Sequence, residues 1–97
     1  MIEYLYDAIR AVAGQEIAVA AVIADDLNIP VTEGCKFVLH DETGAVLHEV
    51  DGIYIPEDEQ WTFNIPASVT TGLHGRYWYS IMHEGVNMCF KQPLYLL

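Results

Sequence analysis

The sequence predicts an all-β domain, an antiparallel β-sandwich of about seven strands, and three observations lead there. First, turn-forming residues recur at short intervals: Gly14-Gln15, Asp25-Asp26, Glu33-Gly34, Asp41 to Gly44, Asp51-Gly52, Glu57 to Glu59, Thr71 to Gly75 and Glu84-Gly85. Short apolar segments separated in this way suit a sandwich or barrel. Second, Trp61-Thr62-Phe63-Asn64-Ile65 alternates large apolar with polar residues, the period of two of a half-buried strand. Third, 97 residues of which 53% are apolar and 19% charged fit one globular domain, assigned to residues 1–97.

The N-terminal third reads two ways. Ile2, Leu5, Ile9, Val12 and Ala13 would share one face of a helix. Ala8 to Ala13 and Glu16 to Ala24 would equally form two strands around Gly14-Gln15. Strands are preferred, because the rest of the chain is β and a strand buried on both faces can be continuously apolar.

Cys35 to His40 is the next strand, and Asp41-Glu42-Thr43-Gly44 turns the chain into Ala45 to Val50. If His40 faces Ala45, Lys36 lies opposite Glu49, and Cys35, Phe37, Leu39, Val46, His48 and Val50 share one face. A glycine bulge in the turn would instead slip the register by one and move His48 to the other side. Pro66 ends the Trp61 strand. Leu73 to Ile81 follows, with Tyr77, Tyr79 and Ile81 inward and Trp78 and Met82 on the opposite face. The last strand is expected from Val86 to about Lys91, with Pro93 breaking it and Leu94-Tyr95-Leu96-Leu97 left as a terminal apolar segment.

Charge narrows the partners. Fourteen acidic residues face four basic ones, Arg10, Lys36, Arg76 and Lys91, for a net charge of −10. Such a surface repels phosphate backbones and anionic lipid, so neither nucleic acid nor membrane is an expected partner. The most apolar run, Ile17 to Ala24, is far below the roughly 20 residues that span a bilayer. The start Met1-Ile2-Glu3-Tyr4 lacks the basic residues of a secretory signal. These features lead to the expectation of a cytoplasmic chain, or one assembled inside a cell.

Chemistry-bearing motifs are sparse. Cys35 and Cys89 form no CxxC pair and are read as buried free thiols. His40, His48, His74 and His83 lack metal-ligand spacing, although His40 and His48 could meet across their hairpin. Asp25-Asp26-Leu27-Asn28 and Glu57-Asp58-Glu59 do not follow a calcium loop and read as solvated turns. No nucleophile elbow, phosphate-binding loop or dinucleotide fingerprint occurs. Neither catalytic residues nor a cofactor are therefore expected.

The order Gly14-Gln15-Glu16-Ile17, Asp25 to Pro30, Phe37-Val38-Leu39 with Asp41 and Gly44, Trp61 to Pro66, and Leu73 to Tyr79 resembles an immunoglobulin-like (Ig-like) module. It is similar to the N-terminal domains of phage baseplate upper proteins and prophage tail-associated proteins, over roughly Ala8 to Phe90. The resemblance implies a virion-associated assembly part without catalytic residues. A non-enzymatic module acting through protein contacts is thus the expected function, with a carbohydrate- or peptide-binding module on an aromatic face as the alternative. The expected contact residues are Trp78, Met82, Leu94, Tyr95, Leu96 and Leu97, and the apolar end suggests a homo-oligomer.

Overall fold

A computed structural model describes residues 9–24, 27–84 and 86–97, with the backbone alone over 86–91. The described chain forms β1 (Ile9–Ala11), β2 (Ile17–Ala21), β3 (Cys35–His40), β4 (Val46–Asp51), β5 (Ile53–Ile55), β6 (Gln60–Ile65), α1 (Ala67–Thr70), β7 (Gly75–His83) and β8 (Val86–Leu96). They make two sheets, one ordered β1-β8-β7-β3-β4 and the other β2-β6-β5. Every pairing is antiparallel except β1 with β8.

Alternation explains how the sheets meet. In β2, Ile17, Val19 and Ala21 are buried while Ala18 and Ala20 are exposed. The continuous apolar run therefore marks a strand with one solvent face rather than two buried ones, its outer positions filled by alanine. Trp61, Phe63 and Ile65 of β6 join β2 in lining one wall of the core. The other wall comes from Cys35, Phe37, Leu39, Tyr79, Ile81, Leu94 and Leu96. Phe37 stacks on Tyr79 with ring centroids 5.2 Å apart and reaches across to Phe63 at 6.0 Å. At Gly52, where the chain leaves β4 for β5, a Cβ would lie 2.5 Å from Phe63 and 2.6 Å from Trp61. Only a residue without a side chain leaves those rings in place.

The β3–β4 hairpin departs from both simple registers. His40 pairs with Val46, but Leu39 pairs with His48 and Lys36 with Asp51, so a bulge at Leu39/His40 leaves Leu47 as the extra residue. His48 and Val50 keep the inner side with Leu39 and Phe37, whereas Val46 joins His40 outside. The turn is held by Asp41, whose Oδ1 accepts from Thr43 Oγ1 (2.7 Å), Thr43 N (2.8 Å) and Ala45 N (3.0 Å), with Gly44 at φ 94°.

The Thr43 hydroxyl bond, with further bonds from the backbone of the turn, holds the Asp41 carboxyl below its ordinary value. A depressed carboxyl stabilises the fold above the unfolded pKa, about 3.9, and that contribution disappears as pH falls through the lower folded value. Urea unfolding of Asp41→Ala should thus lie below wild type by a constant gap near neutrality, and the gap should narrow in acid. A gap of unchanged size throughout the acid range would contradict this role.

Two features of the C-terminal strand correct the sequence expectation. Pro93 does not break it: β8 continues to Leu96, with Pro93 opposite Trp78. Proline tolerates a strand only where its missing N–H is not needed, and β1 enters the ladder one residue later, at Leu94. The apolar end is consequently not a free tail, since Leu94 and Leu96 are each 1% exposed. In addition, Ile53–Ile55 and the single turn Ala67–Thr70 are elements that turn chemistry alone had left as loop.

Candidate functional site

β7 places core and surface residues alternately. Tyr79 and Ile81 are fully buried and Tyr77 packs against them, so Trp78, Ser80 and Met82 project from the outer face of the five-stranded sheet. Cross-strand register builds that face in rows. Arg10, Tyr95 and Arg76 stand side by side on β1, β8 and β7. Pro93, Trp78, His40 and Val46 form the next row, then Ser80, Val38 and Glu49, then Met82, Lys36 and Asp51.

The first two rows hold a cationic and aromatic band. The Arg76 guanidinium lies over the Trp78 ring, 4.2 Å from its centroid, and Arg10 lies 5.7 Å from the centroid of Tyr95. Arg10 and Arg76 are the chain's only arginines. Neither makes an ion pair with a described residue, whereas Lys36 reaches Asp51 at 3.9 Å. A guanidinium attracted to a ring face keeps its N–H donors available for further hydrogen bonds.

A polar pair supports the band from below. His40 and Ser80 are 8% and 3% exposed although both lie on the outer side of the sheet. His40 Nδ1 donates to the Gly44 carbonyl at 3.1 Å, so its Nε2 faces Ser80 Oγ at 3.0 Å. A serine beside a histidine resembles a nucleophile with its base. Ser80, however, is buried among Trp78, Val38 and His40, and what its position offers is a fixed ring orientation rather than an accessible nucleophile.

The other candidate groups do not converge. His40 and His48 lie on opposite faces of the hairpin, His74 is in an exposed loop and His83 ends β7. Among the described residues no three of histidine, cysteine, aspartate or glutamate are grouped to hold a metal ion. Asp25 and Asp26 fall outside the described residues. No described helix is long and apolar enough to cross a membrane.

Cys35 is a free thiol facing the core, and burial pushes its pKa up to about 11. It lies on β3 and Cys89 on β8 with β7 between them. Cys35 is opposite His83 and Cys89 opposite Ile81, so their Cα atoms are separated by more than two strand spacings, over roughly 9–10 Å, beyond the ~7 Å limit for a disulfide. The Cys89 side chain is outside the described residues. A protonated, covered thiol is a poor nucleophile. Cys35 should resist a thiol reagent in the folded protein and react fully in denaturant. Rapid labelling of Cys35 in a Cys89→Ser variant under native conditions would contradict its burial.

Of the six expected contact residues, the structure places Trp78, Met82 and Tyr95 on the outer face. Leu97 is 70% exposed at the end of the chain. Leu94 and Leu96 leave the contact set because they are core. Arg76 and Arg10 share the outer face, and sequence reasoning did not single them out. The signal for Arg76 was present, since a residue two positions from Trp78 on one strand shares its face.

The sequence matches no protein-family model and no curated protein sequence. Among solved structures, the crystal structure of the Lin-41 filamin domain aligns with 98% of this chain and 87% of its own length. The TM-score is 0.60 and the identity 11%. A likeness at that identity shows the fold, an Ig-like β-sandwich, as the sequence resemblance implied. None of these comparisons links the chain to phage baseplate proteins.

Proposed function

We propose that this chain is a non-enzymatic protein-contact module whose docking surface is the outer face of the β1-β8-β7-β3-β4 sheet. The observation that carries the reading is the band of Arg10, Tyr95, Arg76 and Trp78. Tryptophan, tyrosine and arginine are the residues that dominate binding energy at protein interfaces. Carbohydrate capture is the competing use of such rings, but the guanidinium 4.2 Å over Trp78 occupies a ring face on which a sugar would stack. The Ig-like fold neighbour is consistent with a contact role. Tail or baseplate assembly, the setting suggested by the sequence resemblance, is the finer form of the proposal.

The test compares wild-type bait with Trp78→Ala, Arg76→Ala and, as a control on the other sheet, Asn64→Ala. A protein retained in stoichiometric amount by wild type and the control, and lost by both face variants, is the expected result. Retention by all four baits would overturn the choice of surface. Tryptophan quenching by oligosaccharides that Trp78→Ala abolishes would favour the sugar reading instead. Neighbouring genes for tail proteins would support the assembly setting, and a locus remote from any prophage would remove it.

A further inference from the structure

We infer that the free edge of β2 is a pairing site for a second copy of this chain, two β2 strands joining antiparallel across a two-fold axis into one six-stranded sheet. The inference goes beyond the contact role proposed above. It uses the other sheet, and stands whether or not the outer face of the first captures a partner.

The four sheet edges are not alike. One sheet ends on β1 and β4, the other on β2 and β5. β1 and β5 are only three residues long. β4 is bulged at Leu47 and carries Glu49 and Asp51. Shortness, bulges and charges are the devices that keep an edge from pairing. β2 has none of them. Its residues Ile17-Ala18-Val19-Ala20-Ala21 include no charge, proline or glycine. Their register with β6 runs unbroken from Ile17 opposite Ile65 to Ala21 opposite Trp61. Among the described residues no strand other than β6 pairs with β2. The backbone N–H and C=O groups on its far side form a ladder open to a further strand.

The side chains of β2 select the occupant. A basic segment, which the net charge of −10 would attract, finds no carboxylate on this strand, and an acidic one finds no cation. A second β2 matches it in both charge and size. With Val19 on the axis opposite the partner's Val19, Ile17 stands opposite the partner's Ala21 and Ala18 opposite the partner's Ala20. This is the self-complementarity that an isologous contact requires. Ile17, Val19 and Ala21 are already buried while Ala18 and Ala20 are exposed, so the joined sheet keeps its core side and its solvent side. Glu16, the charge that precedes the strand, falls opposite the partner's Val22 rather than opposite a carboxylate.

Roughly four to six backbone hydrogen bonds close such a ladder, and main-chain bonds rather than buried area carry a strand addition. Two acidic chains meet here without opposing charges. The repulsion that remains acts over the ~8 Å screening length of physiological salt. The dimer should therefore be weak, and should tighten as salt rises.

Sedimentation equilibrium of the full chain from low micromolar to near-millimolar concentration, at low and at high salt, tests the pairing. The weight-average mass should rise from one chain toward two, and further at high salt. The double variants Ala18→Lys/Ala20→Lys and Ala18→Glu/Ala20→Glu change exposed positions only. Each should weaken association by about tenfold or more, because like charges then stand directly opposite, with a urea midpoint close to that of the wild-type monomer. The lysine variant does so although it reduces the net negative charge, which separates a contact at β2 from the field of the whole chain. An equimolar mixture of the two variants sets lysine opposite glutamate and should restore the dimer. A wild type that stays monomeric, or a dimer that neither variant weakens, would overturn the pairing. So would β2 amides protected from hydrogen exchange in a monomer, which would give the edge to another segment of the same chain. Capture lost in Trp78→Ala is read separately, and neither result decides the other.

Discussion

A chain ending at Gln92 should fail to fold. The five residues removed include Leu94 and Leu96, each 1% exposed in the core. They also include every residue that β1 pairs with in its ladder, Leu94 to Leu96 opposite Ile9 to Ala11. The backbone bonds between Leu97 and both Ala11 and Ala13 go as well. A buried leucine cut to alanine costs about 2–5 kcal/mol, and deletion of two removes at least as much from a total of about 5–15 kcal/mol. Circular dichroism at 25 °C should show loss of the strand signal or a urea midpoint close to zero. Cooperative unfolding at the wild-type midpoint would mean that β8 ends before Leu94, as Pro93 had suggested on sequence grounds.

The second large effect is at Trp61. Its ring is 3% exposed, lies 6.2 Å from Phe63 and 5.7 Å from Tyr54, and its Nε1 donates to the Val31 carbonyl at 2.6 Å. That bond ties β6 to the long connection that brings the chain from β2 to β3. Trp61→Ala both opens a cavity, at about 3–5 kcal/mol, and leaves a covered carbonyl without its donor, at about 1–3 kcal/mol. Trp61→Phe refills much of the volume but not the bond. Denaturant titration should rank wild type, Phe and Ala in falling order, with the alanine variant close to or below the threshold of folding. An alanine variant within about 0.5 kcal/mol of wild type, the range of a surface substitution, would contradict the central place of this ring.

These two sites also show what could be read from the chain. Trp61 to Ile65 declared its strand and its inward face by alternation, and Tyr77, Trp78 and Tyr79 in succession required rings on both sides of β7. Such signals are local, and the structure agrees with them. Features that depend on which strands become neighbours were not legible. Leu94 and Leu96 turn inward through their register with β7, opposite Tyr77 and Gly75, and Ile9 to Ala11 pairs in parallel with that strand more than eighty positions away, which alone brings Arg10 beside Tyr95. The bulge at Leu47 escaped notice because it sits inside β4 rather than in the turn, where glycine had drawn attention. The candidate face was accordingly half visible. Trp78 and Met82 followed from strand parity and Tyr95 only from its place in the terminal apolar segment, while the arginines over the rings needed the sheet order.

Electrostatics gives the face its meaning. With fourteen acidic side chains available, both arginines nevertheless rest on aromatic rings rather than on described carboxylates. The Lys36–Asp51 pair, exposed on both sides, contributes little to stability.

β7 carries the core on one face and the proposed contact surface on the other. Thermal unfolding of Tyr79→Ala and Trp78→Ala, measured side by side, tests it on neighbouring residues. Loss of the Tyr79 ring should cost about 3–5 kcal/mol, lowering the Tm by tens of degrees at about 4–8 °C per kcal/mol. Trp78→Ala, at a half-buried position, loses the Arg76 contact and part of the cover over Ser80, and should lower the Tm by clearly less than Tyr79→Ala. Equal destabilisation by the two substitutions would contradict the assignment of Trp78 to a docking face.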